Sequence, residues 1–301
     1  MKKVILVGGA SFIGLNLIEK FLSDSYRIFV YGRTEPSIIS ENLIFIKGEL
    51  HEISEKLAFL SPEEIHDAIY LVNTVPVNGS LDNYKQEIAN NKAALTSLFI
   101  IVERVIFFSS GGRVYKDSKN PHHEIDELGP ICPYGKSKVE LEEFIKLESM
   151  RLGKQFLIVR PANPYGKHQN IKGTQGLIAV LLGRIKNSNS IEVWGTGNEV
   201  RDYIYIDDFV NLFIQLLEAN DLPFSIYNIG SGGGLSTLDI IKVIDGELSG
   251  RCDYVINYIK PPSPLIESNI LDVSRLNSVV TEHKKTSLRD GIRHLISELE
   301  L

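Results

Sequence analysis

A phenol and an ammonium group lie four residues apart in the sequence Tyr134-Gly135-Lys136-Ser137-Lys138. If this stretch is helical, positions i and i+4 share a face, so Tyr134 and Lys138 can address the same substrate. A free tyrosine has a pKa of about 10, and a positive neighbour favours its phenolate form. Such a tyrosine can exchange protons with a sugar or alcohol hydroxyl near neutral pH.

The amino terminus carries a glycine-rich turn between an apolar run and an amphipathic segment. Residues 3–7 are uniformly apolar after the lysine, and residues 8–14 read GGASFIG. This order predicts a strand, a tight turn and a helix. Glycines at such a turn let the backbone approach a pyrophosphate, whose charge then lies at the amino end of the helix. The candidate cofactor-binding residues in the turn are Gly8, Ser11, Phe12, Ile13 and Gly14.

The glycine turn and the Tyr134–Lys138 pair together resemble the extended short-chain dehydrogenase/reductase family, in particular its NAD-dependent epimerase/dehydratase members, which act on nucleotide sugars. The resemblance implies a dinucleotide cofactor, Tyr134 as the acid and base, and Lys138 as the group that lowers the Tyr134 pKa and holds the nicotinamide ribose. Residues 107–115, 159–166 and 200–208 extend the resemblance. The first of these segments implies Ser110 as a candidate catalytic hydroxyl.

Two further residues follow from the same resemblance. Asn163 lies in the segment that leads into the nucleotide-sugar site, and Arg201 matches an arginine that meets the diphosphate. Arginine suits that task because its planar fork binds phosphate oxygens in pairs. Both are therefore candidate substrate-binding residues.

The chain departs from the family pattern at positions that bear on function. Ser11 replaces the second glycine of the turn, and Gly111 stands where the catalytic serine or threonine usually lies. The second predicted strand is followed by Gly32-Arg33, where NAD-using members carry an acidic residue for the ribose hydroxyls. Arg33 has the charge to accept a 2′-phosphate, so both NAD and NADP stay open as cofactors.

Two other departures concern the pocket. Asn91, which resembles a helical asparagine of the family, precedes Ser109 by only 18 residues. The second phosphate-binding arginine of the family would fall near Pro262, where Lys260 is the nearest cation.

Composition narrows the class of protein. The chain has 301 residues, 43% of them apolar and 23% charged, with a net charge of −6, which argues against a general nucleic-acid binder. Cys132 and Cys252 lie far apart and form no metal-ligand pattern, so no metal site is expected. No segment is long and apolar enough to cross a bilayer. We expect a cytoplasmic protein without a membrane partner.

Strand-like and helix-like segments alternate, which predicts an α/β fold: a Rossmann-type doubly wound parallel sheet with a smaller α/β substrate domain. Predicted strands are 3–7, 28–31, 43–47, 68–72, 105–109, 156–160, 191–194, 200–206 and 226–229. Predicted helices are 12–23, 81–98, 134–152, 176–186 and 207–218, with two more after residue 236, and 163–166 is predicted to be a turn. We assign residues 1–162, with about 201–230, to the cofactor domain, and 163–200 with 231–301 to the substrate domain. The resemblance implies a homodimer through the helices near 81–98 and 134–152.

Three functions fit these residues. The first is a C4 epimerase of a UDP-hexose type of substrate that works through a transient 4-keto sugar. The second is an NADPH-dependent reductase of a nucleotide-diphospho-4-keto-6-deoxyhexose, which Arg33 favours. The third, a dinucleotide-binding sensor or scaffold without turnover, is kept open by Ser11 and Gly111. We place epimerisation slightly ahead of reduction.

Overall fold

The computed structural model describes residues 1–75, 83–117, 121–188, 190–250, 252, 254–260, 266–281 and 285–301. The strands are β1 (Lys3–Val7), β2 (Arg27–Gly32), β3 (Leu43–Lys47), β4 (Asp67–Tyr70), β5 (Arg104–Phe108), β6 (Gln155–Pro161), β7 (Asn163–Tyr165), β8 (Ser190–Trp194), β9 (Val200–Tyr205), β10 (Ile226–Ile229), β11 (Gly234–Ser236), β12 (Val255–Ile259) and β13 (Ser268–Asn269). The helices are α1 (Phe12–Ser23), α2 (Ile53–Lys56), α3 (Tyr84–Ile101), α4 (Pro133–Leu152), α5 (Leu177–Ser188), α6 (Ile206–Glu218), α7 (Thr237–Leu248), α8 (Ser274–Asn277) and α9 (Leu288–Glu298).

Seven strands of the described chain form the main sheet, in the order β10-β6-β5-β4-β1-β2-β3. β1 pairs in parallel with both β2 and β4. The chain therefore winds away in both directions from β1, and the order reverses between β1 and β4. In doubly wound sheets, ligands bind outside the carboxyl ends of the strands at this reversal. The glycine turn follows β1 and lies at that place.

Local signals explain the bounds of α1 and α4, the two helices that carry candidate site residues. Gly8 has a φ of 88°, which few other residues adopt, and it opens the turn after β1. The Ser11 hydroxyl caps α1 by accepting from the Gly14 amide at 3.2 Å. Helix α4 has Pro133 in its first turn and ends at Gly153, which has a φ of 65°.

The chain divides into two compact units. The first contains residues 1–116, 126–160 and 223–227, and the second contains 117–125, 161–222 and 228–301. Residues 201–222 thus belong to the second unit, whereas the sequence pattern assigned them to the cofactor domain. The functional division into a cofactor domain and a substrate domain stays a prediction.

Each unit has an apolar core of its own. In the first unit, side chains of the parallel strands pack against α2, α3 and α4, with Phe99, Phe107 and Ile145 fully buried. In the second unit, β9 pairs with β7, β11 and β13, and β8 pairs with β12. Helices α5, α7 and α9 supply most of the second core, which includes Leu182 and Ile244. The fold class predicted from the sequence is confirmed.

Several element boundaries differ from those predicted. Helix α1 agrees with its prediction, and α3 begins at Tyr84, while predicted residues 81–82 lie outside the described residues. The segment 163–166 was predicted as a turn, and this was wrong for its first three residues. They form β7, which pairs in parallel with β9, and the turn comes at Gly166, whose φ is 152°. The short strands β11 and β13 were missed because two or three residues carry too little periodicity.

Candidate active site

Tyr134 and Ser110 lie together in the first unit. The sequence predicted a strand over residues 105–109, and the strand β5 ends one residue earlier, at Phe108. Ser110 lies in the loop that follows it. Its hydroxyl hydrogen-bonds with the Tyr134 phenol and acts to lower the Tyr134 pKa. Burial is the larger effect and raises the pKa of Tyr134 above its usual range.

Lys138 is buried one helical turn beyond Tyr134. Its Nζ donates to the Phe108 carbonyl at 2.9 Å and the Val72 carbonyl at 3.4 Å, and lies 5.7 Å from the centre of the Tyr134 ring. Burial lowers the pKa of Lys138 to about 7, a shift that the charge of Glu142 opposes. Lys138 thus shares a face with Tyr134, and burial makes its ammonium group more acidic than that of an exposed lysine.

A buried ion pair lies behind Lys138 on the same helix. The Glu142 carboxylate accepts from Arg160 Nη2 at 2.6 Å and from Nε at 3.0 Å, and both side chains are almost fully buried. Arg160 Nη1 donates to the Tyr115 hydroxyl at 3.0 Å. The pair ties α4 to β6 and sets a negative charge four residues from Lys138.

The loop between Phe108 and Tyr115 contains the family's usual serine or threonine position. Gly111 fills it with no side chain, and Ser110 is the hydroxyl that reaches Tyr134. The preceding Ser109 is buried, and its hydroxyl has no hydrogen-bond partner within the described residues. Of the two serines, Ser110 alone is placed to assist Tyr134.

The turn after β1 fits a pyrophosphate. A β-carbon at Gly14 would lie 2.4 Å from the Gly9 carbonyl oxygen, so only glycine allows α1 to pack this closely on the turn. Within the described chain, the amides of Phe12 and Ile13 donate to no protein group, which leaves two donors at the amino end of a 12-residue helix. Ser11 has a φ of −78°, so this position needs no glycine.

The end of β2 has open space beside the turn. A β-carbon at Gly32 would find only the Gly8 amide nitrogen, at 3.9 Å. Arg33 is exposed, and its side chain forms no hydrogen bond or ion pair with the described residues. An acidic side chain, which NAD-using relatives would carry here according to the family resemblance, is absent. The open space beside Gly32 and Arg33 can therefore accept a negatively charged group of a ligand.

Asn91 lies on α3, in the same crevice as Lys138. It is buried, and its amide nitrogen donates to Thr74 Oγ1 at 2.8 Å and to the Glu87 carbonyl at 2.7 Å, while its oxygen accepts from the Tyr70 hydroxyl at 2.7 Å. Lys138 and Asn91 both line a narrow crevice at this point. Asn91 therefore lies near Lys138, although it precedes Ser109 by only 18 residues.

The predicted substrate-binding residues Asn163 and Arg201 lie in the second unit. Asn163 Nδ2 donates to the Asp202 carbonyl at 2.8 Å, which joins β7 to β9. Arg201 is half-buried and donates to the Val200 carbonyl at 2.7 Å. Asp202 is buried and accepts from the amides of Ser231 at 2.9 Å and Gly232 at 3.1 Å. Its carboxylate therefore holds the loop after β10, and the roles of Asn163 and Arg201 toward a substrate stay predictions.

Neither a metal site nor a membrane-spanning helix is found among the described residues. Among them, no group of three or more histidine, cysteine or acidic side chains could hold a metal ion. The helices of this part of the chain include none that is both long and apolar enough to traverse a bilayer.

Sequence reasoning missed Arg113 and the Glu142–Arg160 pair. Arg113 is exposed, and its positive charge lowers the pKa of Tyr134. A charged residue on the buried face of α4, one turn after Lys138, was the available signal for Glu142. Arg113 has no such signal, because only the folded loop brings it near Tyr134.

Comparison with known proteins identifies the family. The model of the NAD dependent epimerase/dehydratase family matches residues 4–230. The dTDP-4-dehydro-6-deoxyglucose reductase of Escherichia coli is 31% identical over 98% of this chain and 97% of that protein. A putative UDP-glucose 4-epimerase of Methanocaldococcus jannaschii is 26% identical over 98% of this chain and 97% of its own length.

The fold is also that of solved structures. The UDP-glucose 4-epimerase of Thermotoga maritima, solved with UDP-glucose, superposes with a TM-score of 0.87 at 23% identity, covering 99% of this chain and 98% of that one. At this identity the likeness concerns the fold. The family model and the 31% identical relative carry the assignment: the chain belongs to the NAD-dependent epimerase/dehydratase family of extended short-chain dehydrogenases/reductases.

Proposed function

We propose that the chain is an NADPH-dependent reductase of a nucleotide-diphospho-4-keto-6-deoxyhexose. The observation that carries the proposal is the end of β2, where Gly32 leaves open space beside the Gly8 amide and Arg33 has no partner among the described side chains. A guanidinium there suits a 2′-phosphate, which NADPH has and NADH lacks. The 31% identical E. coli relative, a dTDP-sugar reductase, supports the same choice.

Each candidate residue has a part in this reaction. The amides of Phe12 and Ile13 and the turn from Gly8 to Gly14 bind the pyrophosphate, and Arg33 binds the 2′-phosphate. A bound NADPH supplies the hydride. Tyr134 donates a proton to the C4 oxygen of the keto sugar, so that the carbonyl becomes a hydroxyl.

Other residues assist this step. Ser110 hydrogen-bonds with Tyr134 and orients the phenol. Lys138, held by the Phe108 and Val72 carbonyls, contacts the nicotinamide ribose. Asn163 and Arg201 bind the nucleotide part of the substrate, with the arginine on the diphosphate.

Epimerisation at C4 is the second candidate function. It is favoured by the 26% identical M. jannaschii relative, a putative UDP-glucose 4-epimerase that the chain matches over nearly its whole length. The same Tyr134 would then remove and return the proton of the 4-hydroxyl. The sequence alone ranked this function slightly ahead of reduction, whereas the open space at Gly32 and the 31% identical reductase relative support the reductase that we propose.

The test begins with the cofactor. The purified protein is denatured, the released dinucleotide is identified by chromatography, and NADPH and NADH binding are compared by fluorescence titration. We expect a protein that binds NADPH far more tightly, and that oxidises it when given a dTDP-4-keto-6-deoxyhexose. Retained NAD, with interconversion of UDP-hexoses and no net NADPH oxidation, would identify the epimerase. No turnover of any sugar nucleotide would leave the dinucleotide-binding sensor.

We also propose a homodimer through α3 and α4. Three large apolar side chains on these helices are exposed, Ile100, Leu147 and Met150. A contact between two copies would remove these side chains from water, which is favourable. The homodimer implied by the family resemblance would cover them.

A further inference from the structure

The loop after β5 carries Ser110, and the next two residues are both glycine. Glycine has the freest backbone of any residue, so this pair does little to hold the loop in one conformation. The Ser110 hydroxyl is nevertheless bonded to the Tyr134 phenol on α4. The groups that fix the two ends of the loop therefore determine where Ser110 lies.

The main sheet and α4 fix the start of the loop. β5 pairs in parallel with β6, and the Ser109 amide continues this pairing by donating to the Val159 carbonyl at 2.8 Å. The preceding carbonyl, that of Phe108, accepts from Lys138 Nζ at 2.9 Å. The backbone just before Ser110 is thus held from both sides.

Tyr115 fixes the other end of the loop. Its side chain is buried, its hydroxyl accepts from Arg160 Nη1 at 3.0 Å, and its ring centre lies 5.0 Å from the Arg160 guanidinium carbon. Its main chain bridges to Leu128, in the segment before α4. Arg160 is itself held by the Glu142 carboxylate at 2.6 Å. The Tyr115 hydroxyl is therefore bound to a side chain that is already fixed.

A third contact lies between these two ends. A β-carbon at Gly135 would be 2.2 Å from the Arg113 carbonyl oxygen, so the main chain of the loop touches the first turn of α4, directly after Tyr134. Arg113 comes two residues before Tyr115, and two residues span at most about 7 Å. The position of Tyr115 therefore limits how far the loop can shift along α4.

We propose that Tyr115 is a positioning residue that holds the Ser110 hydroxyl against the Tyr134 phenol, through the hydrogen bond that its own hydroxyl accepts from Arg160. The proposal deepens the proposed function and rests on Tyr134 being its acid and base. Tyr115 acts through Ser110 and need not touch the substrate or the cofactor. Without the bond to Arg160, the end of the loop can move, and the Ser110 hydroxyl spends less time on the phenol.

The test follows the Tyr134 phenol by nuclear magnetic resonance, so it needs no turnover and stays valid if the substrate is wrongly assigned. All tyrosines are labelled with ¹³C at the ring carbon that bears the hydroxyl, because the chemical shift of this carbon responds to hydrogen bonding of the phenol. The Tyr134 signal is the one lost in Tyr134→Phe. We expect Ser110→Ala and Tyr115→Phe to move this signal in the same direction, and the double variant to match Ser110→Ala alone.

Kinetics give a second readout where a sugar nucleotide is turned over. Tyr115→Phe should lower kcat about two- to tenfold, the range expected for one hydrogen bond, and should change KM little. The same substitution should leave kcat unchanged in a Ser110→Ala background, because residues that act through one another are not additive. A wild type without turnover would contradict the proposed function, while the chemical shifts would still decide the role of Tyr115.

Two variants separate this role from a general effect on the fold. Tyr227→Phe removes another buried hydroxyl of the main sheet, which accepts from a main-chain amide at 3.3 Å, and should leave the Tyr134 signal and kcat unchanged. Arg160→Lys keeps the buried positive charge but lacks the second nitrogen that reaches Tyr115, and should reproduce the effect of Tyr115→Phe. Urea denaturation shows whether each variant is folded under the conditions of the measurement.

Three results would overturn the proposal. The first is a Tyr134 signal at the same position in the wild type and in Tyr115→Phe. The second is a shift by Tyr115→Phe that is as large in the Ser110→Ala background as in the wild type, which would show a role in the fold alone. The third is a Tyr134 signal that Ser110→Ala does not move, since the two hydroxyls would then not be bonded.

Discussion

Glu142 and Arg160 form a two-pronged ion pair inside the first unit, with Oε2–Nη2 at 2.6 Å and Oε1–Nε at 3.0 Å. Removing one partner of a buried pair leaves the other charge without compensation, which typically costs about 3–5 kcal/mol. We expect Glu142→Gln to lower the free energy of unfolding by about this amount, measured by urea denaturation.

The neighbouring Glu143 provides the control for this change. Its carboxylate pairs with Lys146 at 2.8 Å on the surface of the same helix. Glu143→Gln should change the free energy of unfolding by about 0.5 kcal/mol or less. Equal effects of the two substitutions would contradict the importance of the buried pair.

Tyr134→Phe removes the proposed proton donor and keeps the ring. We expect kcat to fall by about 10²–10⁴-fold, because a well-placed general acid contributes that much, while NADPH binding is retained. Tyr84→Phe is the matched control, since its hydroxyl donates to Glu140 of α4 at 3.2 Å and makes no contact with Tyr134 in the described residues. Loss of NADPH binding together with activity would point to a structural role for Tyr134.

Lys138 makes stability depend on pH in a defined window. Its pKa is about 7 in the folded protein and 10.5 in the reference state, so between these values the unfolded chain binds one more proton. Below about pH 7 the buried Lys138 ammonium is charged, and its full cost is subtracted from the free energy of unfolding. This cost disappears as the pH rises toward 10. Stability from this group therefore rises with pH, with a slope of at most about 1.4 kcal/mol per pH unit.

Lys138→Met isolates this contribution. Urea unfolding of both proteins between pH 7 and pH 10 should show the wild type gaining stability relative to the variant. A difference between the two proteins that does not vary with pH would show that Lys138 keeps its ordinary pKa.

Arg33→Gln tests the choice of cofactor. A charge-assisted contact with a 2′-phosphate is worth about 1.5–3 kcal/mol, so NADPH affinity should fall by about 10- to 100-fold while NADH affinity stays the same. Lys20→Gln makes the same change of charge at the far end of α1, where Lys20 pairs with Asp24, and should affect neither. A parallel loss for both dinucleotides would show that Arg33 contacts a group they share.

Leu147→Glu tests the proposed dimer. The Leu147 side chain is 62% exposed on α4, and a charge there should prevent two copies from packing. Size-exclusion chromatography with light scattering should give a dimer for the wild type and a monomer for the variant. Lys146→Glu, at the adjacent position, is the control for a change of charge alone, and a wild-type monomer would remove the proposal.

Much of the first unit was predictable because its signals are local. The run from Lys3 to Val7 and the glycine turn after it specify β1 and the start of α1 without reference to the rest of the chain. The i, i+4 spacing likewise set Tyr134 and Lys138 on one face of α4. What the sequence did not reveal depends on the ends of single elements and on distant pairs. Ser110 reaches Tyr134 from the loop after β5, and Arg160 meets Glu142 from β6.

The electrostatics were the least predictable part. Spacing suggested that Lys138 would lower the Tyr134 pKa, yet burial raises the pKa of Tyr134 and lowers that of Lys138. Burial is a property of the packed core, and no residue pattern near position 138 reports it. The close approach of the Arg113 carbonyl to Gly135, the residue after Tyr134, likewise arises from the path of the loop.

The two glycine positions at the cofactor turn differ in how much change they tolerate. At Gly14 any side chain would collide with the Gly9 carbonyl, whereas at Gly32 a side chain meets open space. Under the proposed function, binding of the dinucleotide and the choice between NADPH and NADH therefore depend on separate parts of the chain. Exchange of Gly32 and Arg33 alone would then change the cofactor preference and leave the first turn of α1 intact.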